Sequence, residues 1–200
     1  VLRPNVEYAI EERQGQRRAV IGIHSFKPAG VCREVARLVL KAERRDAGSL
    51  VLDLRGNPGG RVEEARCLAG LFLGPDVRFA TFRRVGLPHG LMPLTATRSL
   101  GPQVEHQFTD RGRITDLPVD ILVDRNTASS AEILSAALQD HGRARLLGER
   151  TFGKGTMQSA FHPWEREDLY LHLTTHRVFT PLGRALQGEG VRPDLLVTGS

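Results

Sequence analysis

The run Ser49-Leu50-Val51-Leu52-Asp53-Leu54, continuing directly into Arg55-Gly56-Asn57-Pro58-Gly59-Gly60, decides how the rest of the chain is read. Its first half is a short, almost unbroken apolar stretch, the pattern of a strand covered on both faces in a parallel sheet. Its second half holds one proline and three glycines within six residues, too many breakers for anything but a loop. Val62, Ala65, Leu68, Ala69 and Phe72 then recur at helical spacing. Strand, loop and helix in this order form one unit of an α/β fold.

The same alternation extends in both directions. Upstream, residues 5–11 and 18–26 read as strands around a polar turn at 13–16. Val31, Val35, Leu38, Val39 and Ala42 form a helical stripe that Gly48 ends. Downstream, residues 77–82, 118–123, 145–148, 156–161 and 169–179 read as strands, and 191–197 as a short extended piece. A helix is predicted over 131–141, with Ile133, Leu134, Ala137 and Leu138 facing inward. Residues 84–116 show no clear period and are read as an irregular insertion or lid. No repeat or shift in composition divides the 200 residues, so the expected architecture is α/β in a single core domain spanning 1–200.

Composition narrows the function classes. A hydrophobic content of 40% supports an ordinary core, and 6% aromatics makes it one of Leu, Val, Ile and Ala. The net charge of +5 invites a nucleic-acid partner. However, the arginines fall as scattered pairs (Arg17-Arg18, Arg44-Arg45, Arg83-Arg84) with no basic run interleaved with aromatics, so none is expected. Cys32 and Cys67 lie in predicted helices without ligand spacing. They read as two small buried hydrophobes rather than zinc ligands, and say nothing of the redox compartment. No stretch approaches the roughly 18 apolar residues of a membrane-spanning helix. The opening Val1-Leu2-Arg3-Pro4 reads as a start in mid-protein, so a missing targeting signal carries little weight.

Three constellations carry chemistry. Asn57-Pro58-Gly59-Gly60 between strand and helix can present a backbone N–H to a developing oxyanion, with Gly59 the expected donor. Read alone, a plain tight turn is the simpler account. Thr127-Ala128-Ser129-Ser130-Ala131-Glu132 opens a helix. Ser129 with Glu132 three residues on has capping-box spacing, and read alone the cap is the simpler account. A nucleophile at Ser129 would gain the Ser130 N–H as a second oxyanion donor and the positive end of the helix dipole.

The third constellation, Gly148-Glu149-Arg150-Thr151-Phe152-Gly153-Lys154, has phosphate-loop spacing. Gly155 stands where that motif needs Ser or Thr, and a strand follows where it needs a helix. Lys154, among Phe152, glycines and Met157, can instead be desolvated as a general base requires; read alone, it is otherwise a surface lysine on a mobile loop. His172 and His176 alternate with leucines on a strand, about 13 Å apart, too far to share a metal. A Ser-His-Asp triad finds no histidine in a motif as dense as that of Lys154.

Together these residues resemble a known family. Leu50 through Gly60, the Ser129 turn, and the run from Gln139-Asp140-His141-Gly142 to Gln158 are similar to the C-terminal processing (tail-specific) proteases, the serine–lysine peptidases of family S41. The closing segments 174–184 and 187–194 are similar as well. The resemblance implies a ClpP/crotonase-like α/β spiral. It implies Ser129 as nucleophile, Lys154 as general base, Gln158 orienting the lysine, and Asp140 supporting the site without acting as a base. The N–H groups of Gly59 and Ser130 would form the oxyanion hole. It implies no metal or organic cofactor, protein or peptide substrates held through their C-terminal tails, a homo-oligomer as one option, and an extracytoplasmic (periplasmic or secreted) location.

Three departures stand out. The residue after the nucleophile is Ser130 rather than the family's usual alanine, a change that a backbone donor tolerates. The PDZ domain that usually captures substrate tails has no counterpart in this sequence, and 84–116 carries no family motif. The rival expectation is therefore a latent or inactive peptide-binding module on the same fold.

Overall fold

Burial on both faces, read from the 49–54 run, places that segment at the centre of a sheet. In the computed structural model, which describes residues 4–13, 15–85, 104–161 and 171–197, it is the third of ten strands. In chain order the elements are β1 (Val6–Arg13), β2 (Gln16–Ile23), α1 (Val31–Glu43), β3 (Ser49–Asp53), α2 (Val62–Leu73) and β4 (Arg78–Arg84). There follow β5 (Val104–Phe108), β6 (Val119–Val123), α3 (Ser130–Asp140), β7 (Ala144–Gly148), β8 (Thr156–Phe161), β9 (Leu171–Phe179) and β10 (Leu195–Leu196).

Six strands form one sheet in the order β1-β2-β3-β6-β7-β10, parallel except for the β1–β2 hairpin. Its register aligns Ile21, Leu52, Ile121 and Leu146 across four neighbouring strands, each fully buried. A parallel connection needs a crossover, and α1, α2 and α3 supply crossovers with apolar faces that read from the sequence as expected. Four further strands form an antiparallel sheet in the order β5-β4-β9-β8, with Phe79 and Phe82 of β4 buried. The fold is thus mixed α/β, with two sheets and three helices among the described residues.

Two expectations are corrected. The stretch 84–116 is not irregular throughout: Val104–Phe108 is a strand paired antiparallel with β4. After it Thr109 ties the chain back, its Oγ1 donating to the Gly74 carbonyl at 2.6 Å and accepting the Val77 N–H at 3.0 Å. β5 is an edge strand with mostly exposed residues, so it has no apolar alternation to read. Residues 86–103 lie outside the described residues. The second correction concerns the cysteines, which are not free: Cys32 of α1 and Cys67 of α2 form a disulfide, with Cα atoms 6.0 Å apart. They face each other because α1 and α2 pack side by side, a neighbour relation that spacing along the chain does not reveal.

Candidate active site

The glycine loop is built around Asn57, which is fully buried. Its Nδ2 donates to the Ile23 carbonyl at 2.8 Å, and its main-chain oxygen accepts the Ala128 N–H at 2.9 Å. One residue therefore joins the end of β2 to the turn that carries Ser129. Asn57 Oδ1 also accepts the Gly59 N–H at 2.8 Å. The amide expected as an oxyanion donor is thus already engaged. The next one, of Gly60, has no hydrogen-bond partner among the described residues. Glycine is required at both positions, at φ 88° and 148°. A Cβ on Gly59 would stand 2.8 Å from that of Ser129, and one on Gly60 would stand 2.3 Å from the Lys27 nitrogen.

Ser129 sits between β6 and α3 at φ 57°, ψ −125°, a conformation a non-glycine residue holds only when its surroundings impose it. Asp124 does part of that work. Its Oδ1 accepts the N–H groups of Gly56 (2.9 Å), Asn126 (3.1 Å) and Thr127 (2.9 Å), so one carboxylate ties the glycine loop to the serine turn. Burial pulls the Asp124 carboxyl upward, but the bonds from Gly56, Thr127 and Asn126 outweigh it and leave the group below its ordinary value. A depressed carboxylate stabilises the fold above its unfolded value of about 3.9, and that contribution is lost as pH falls through the folded one. Urea unfolding followed from about pH 4 down to pH 2 should therefore show a steeper loss for wild type than for Asp124→Asn. Equal slopes would contradict it.

Ser129 and Glu132 form a capping box, in which the Glu132 carboxylate takes the Ser129 N–H. The carboxylate of Glu132 does far more than cap. Fully buried, it accepts the N–H of Ser129 at 2.8 Å and that of Lys154 at 2.8 Å on Oε2. On Oε1 it accepts the Thr151 hydroxyl at 2.6 Å and the Gly153 N–H at 2.7 Å. Sequence reasoning gave Glu132 only a capping role. Its link to the lysine loop joins residues some twenty positions apart and becomes visible once α3 and the segment 151–154 are docked.

Ser129, Lys154, Gln158 and Gly60 line one cavity of about 260 Å³. Val62, Phe82, Ile133, Met157 and Val178 give it an apolar wall, and His172, unassigned from sequence, also reaches it. The Ser130 N–H has no partner among the described residues, and the site of a Cβ on Gly59 lies 2.9 Å from it. One expectation fails locally. Lys154 is exposed, and Phe152, at 66% exposure, does not wall it in. The Lys154 Nζ has no hydrogen-bond or ion-pair partner among the described residues.

Asp140 is not brought to this cavity. It ends α3, roughly 16 Å along the helix from Ser129, where it pairs with Arg184 and accepts the Leu182 N–H at 2.9 Å. A larger cavity of about 330 Å³, between Arg125 and Val197 at the carboxyl ends of β6 and β7, is lined by no serine, cysteine or lysine.

Ser129 on a strained helix-opening turn, Lys154 and Gly60 thus line one cavity, with two backbone amides beside it that have no partner among the described residues. Residues 17–197 match the model of peptidase family S41, and the chain belongs to that family. It is 33% identical over 197 residues to the carboxyl-terminal-processing protease of Synechocystis sp., covering 98% of this chain and 42% of that protein. To the carboxyl-terminal-processing protease of Picosynechococcus sp. it is 32% identical over 188 residues, covering 94% and 41%. The chain thus spans about two fifths of the length of these relatives. Among solved structures, the photosystem II D1 C-terminal processing protease superposes with a TM-score of 0.80 at 22% identity, over 99% of this chain and 49% of that one. At that identity the likeness is one of fold.

Proposed function

We propose that this chain is the catalytic core of a serine endopeptidase that cleaves proteins at or near their C-terminal tails through an acyl-enzyme. The observation that carries the reading is the convergence of Ser129, Lys154 and Gly60 on one cavity. Lys154 takes the proton of the Ser129 hydroxyl as Oγ bonds to the substrate carbonyl carbon. The N–H groups of Ser130 and Gly60 hold the oxyanion, and Asn57 keeps that of Gly59 turned away. The peptide C–N bond then breaks, and the leaving amine takes its proton from the Lys154 ammonium. Water releases the ester by the same steps in reverse roles, and Gln158 orients the lysine. The Val62, Phe82 and Ile133 wall favours an apolar side chain next to the cleaved bond.

The exposure of Lys154 favours a second reading, a resting or latent peptide-binding state in which bound substrate completes the desolvation of the amine. We place the protein in an extracytoplasmic compartment. Its disulfide, a bond that persists in oxidising surroundings, supports that location.

The test is a peptide boronate bearing an apolar P1 residue, applied beside a casein-cleavage assay. Boron is expected on Ser129 Oγ, with one boron-bound oxygen about 2.7–3.1 Å from the Ser130 and Gly60 nitrogens. Casein should be cleaved and the boronate should stop it. An adduct elsewhere, or tight tail binding without any turnover, would overturn the assignment, and the latter would establish the binding module.

A further inference from the structure

We propose that the Cys32–Cys67 disulfide is a redox-sensitive clamp on the glycine loop, so that a dithiol reductant lowers turnover by loosening the Gly60 amide; this rests on the oxyanion role given to that amide above. The two halves of the seam it closes are the segments 26–32 and 59–67. At one end the Phe26 N–H donates to the Gly59 carbonyl at 3.0 Å, and the Arg61 N–H to the Phe26 carbonyl at 2.9 Å. In the middle the Glu64 carboxylate accepts the N–H groups of Gly30 and Cys32 at 2.7 and 2.8 Å. The disulfide closes the far end, joining the first turn of α1 to α2 five residues beyond its start.

Gly60 depends on this seam being shut. Its α-carbon packs so closely on Phe26 and Lys27 that a Cβ would stand 2.3 Å from the main chain of each. Nothing on the opposite side substitutes for that contact: Asn57 and Asp124 hold Gly59 and Gly56, and the Gly60 N–H has no partner among the described residues. The turn between Phe26 and α1 is exposed at Lys27, Pro28, Ala29 and Gly30, and it makes no other tie to α2 than the Glu64 carboxylate. Opening the disulfide leaves the two main-chain bonds of Phe26, a bond from the Ser25 hydroxyl to the Gly59 carbonyl at 3.2 Å and the Glu64 carboxylate to keep the donor in place, with Gly60, Arg61 and the 27–30 turn exposed to water.

The chemistry is an exchange with a dithiol. A thiolate of the reductant attacks the sulfur of Cys67, the less buried residue of the two, and the S–S bond breaks as the Cys32 sulfur leaves and takes a proton. The second thiol of the reductant then displaces Cys67. Two electrons pass to the protein cysteines, which end as two thiols, and the reductant ends as a disulfide.

The experiment compares the oxidised chain, the chain reduced with a small dithiol, and the double variant Cys32→Ala/Cys67→Ala, all well below the melting temperature of the least stable. Two quantities are read: kcat and KM on a peptide with an apolar tail, and amide hydrogen exchange over residues 56–61 by mass spectrometry. Opening the bond should lower kcat about tenfold, short of the 10²- to 10³-fold loss of a whole oxyanion donor, with KM changed far less. Exchange over 56–61 should rise in both opened forms, and reoxidation should restore the reduced protein but not the variant. Unchanged kcat and unchanged exchange with the bond open would overturn the clamp and leave the disulfide purely structural. If the oxidised chain cleaves nothing, the peptidase reading falls while exchange over 56–61 still decides the clamp.

Discussion

Ser129→Ala and Lys154→Ala should each reduce casein cleavage to background, a loss on the order of 10⁴- to 10⁶-fold in kcat. Either residue alone is chemically useless: the hydroxyl needs a base, and the amine has nothing to activate without the hydroxyl. The double variant should therefore be no worse than either single one, because the pair acts as a unit. Lys154→Arg should not rescue, since a guanidinium does not give up its proton. Neither change disturbs the fold by any route visible here. The capping-box bond from the Ser129 N–H to the Glu132 carboxylate is kept by an alanine, and the Lys154 side chain has no partner among the described residues. Thermal melts of the variants should overlie the wild type. Cleavage within about tenfold of wild type in either single variant would sink the serine–lysine assignment.

What could be read beforehand follows from which interactions are local. The parallel strands were legible because burial on both faces leaves an almost unbroken apolar run, as in Leu50 to Leu54, and the helices because one apolar stripe repeats along each. β5 was not, since an exposed edge strand has neither signature. The motifs around Ser129 and Lys154 were legible as residue types at short range, and the fold brings both to one cavity. Direction was not legible. Whether Gly59 or Gly60 offers its amide depends on the Asn57 side chain, and motif position alone gave no sign that Asp140 faces Arg184 instead of the cavity. The cysteines failed for a related reason. A disulfide depends on which helices are neighbours, and the α1–α2 contact is a property of the assembled layers.

Glu132 is where a local reading understated a residue most, and substituting it should have the second-largest effect. Four donors converge on one buried carboxylate: three backbone N–H groups, those of Ser129, Gly153 and Lys154, and the Thr151 hydroxyl. Glu132→Ala leaves all four without an acceptor, two of them at buried bonds, at about 1–3 kcal/mol for each that water cannot reach. Partial rehydration of the vacated space makes these terms less than additive, so the expected destabilisation is about 3–5 kcal/mol. Glu132→Gln is the sharper probe. It keeps one acceptor oxygen and turns an NH₂ group toward the other two donors, so the N–H groups on that side lose their acceptor and only the Thr151 hydroxyl can turn to accept instead. Because Ser129 and Lys154 share Oε2, the glutamine variant should lose alignment as well as stability. We expect kcat to fall about 100-fold with a much smaller change in KM, the pattern of an interaction needed in the transition state rather than for binding. Kinetics on an apolar-tailed peptide and urea unfolding of the same samples separate the two effects. A Glu132→Gln protein that matched wild type in both would show that the four bonds hold nothing the reaction requires.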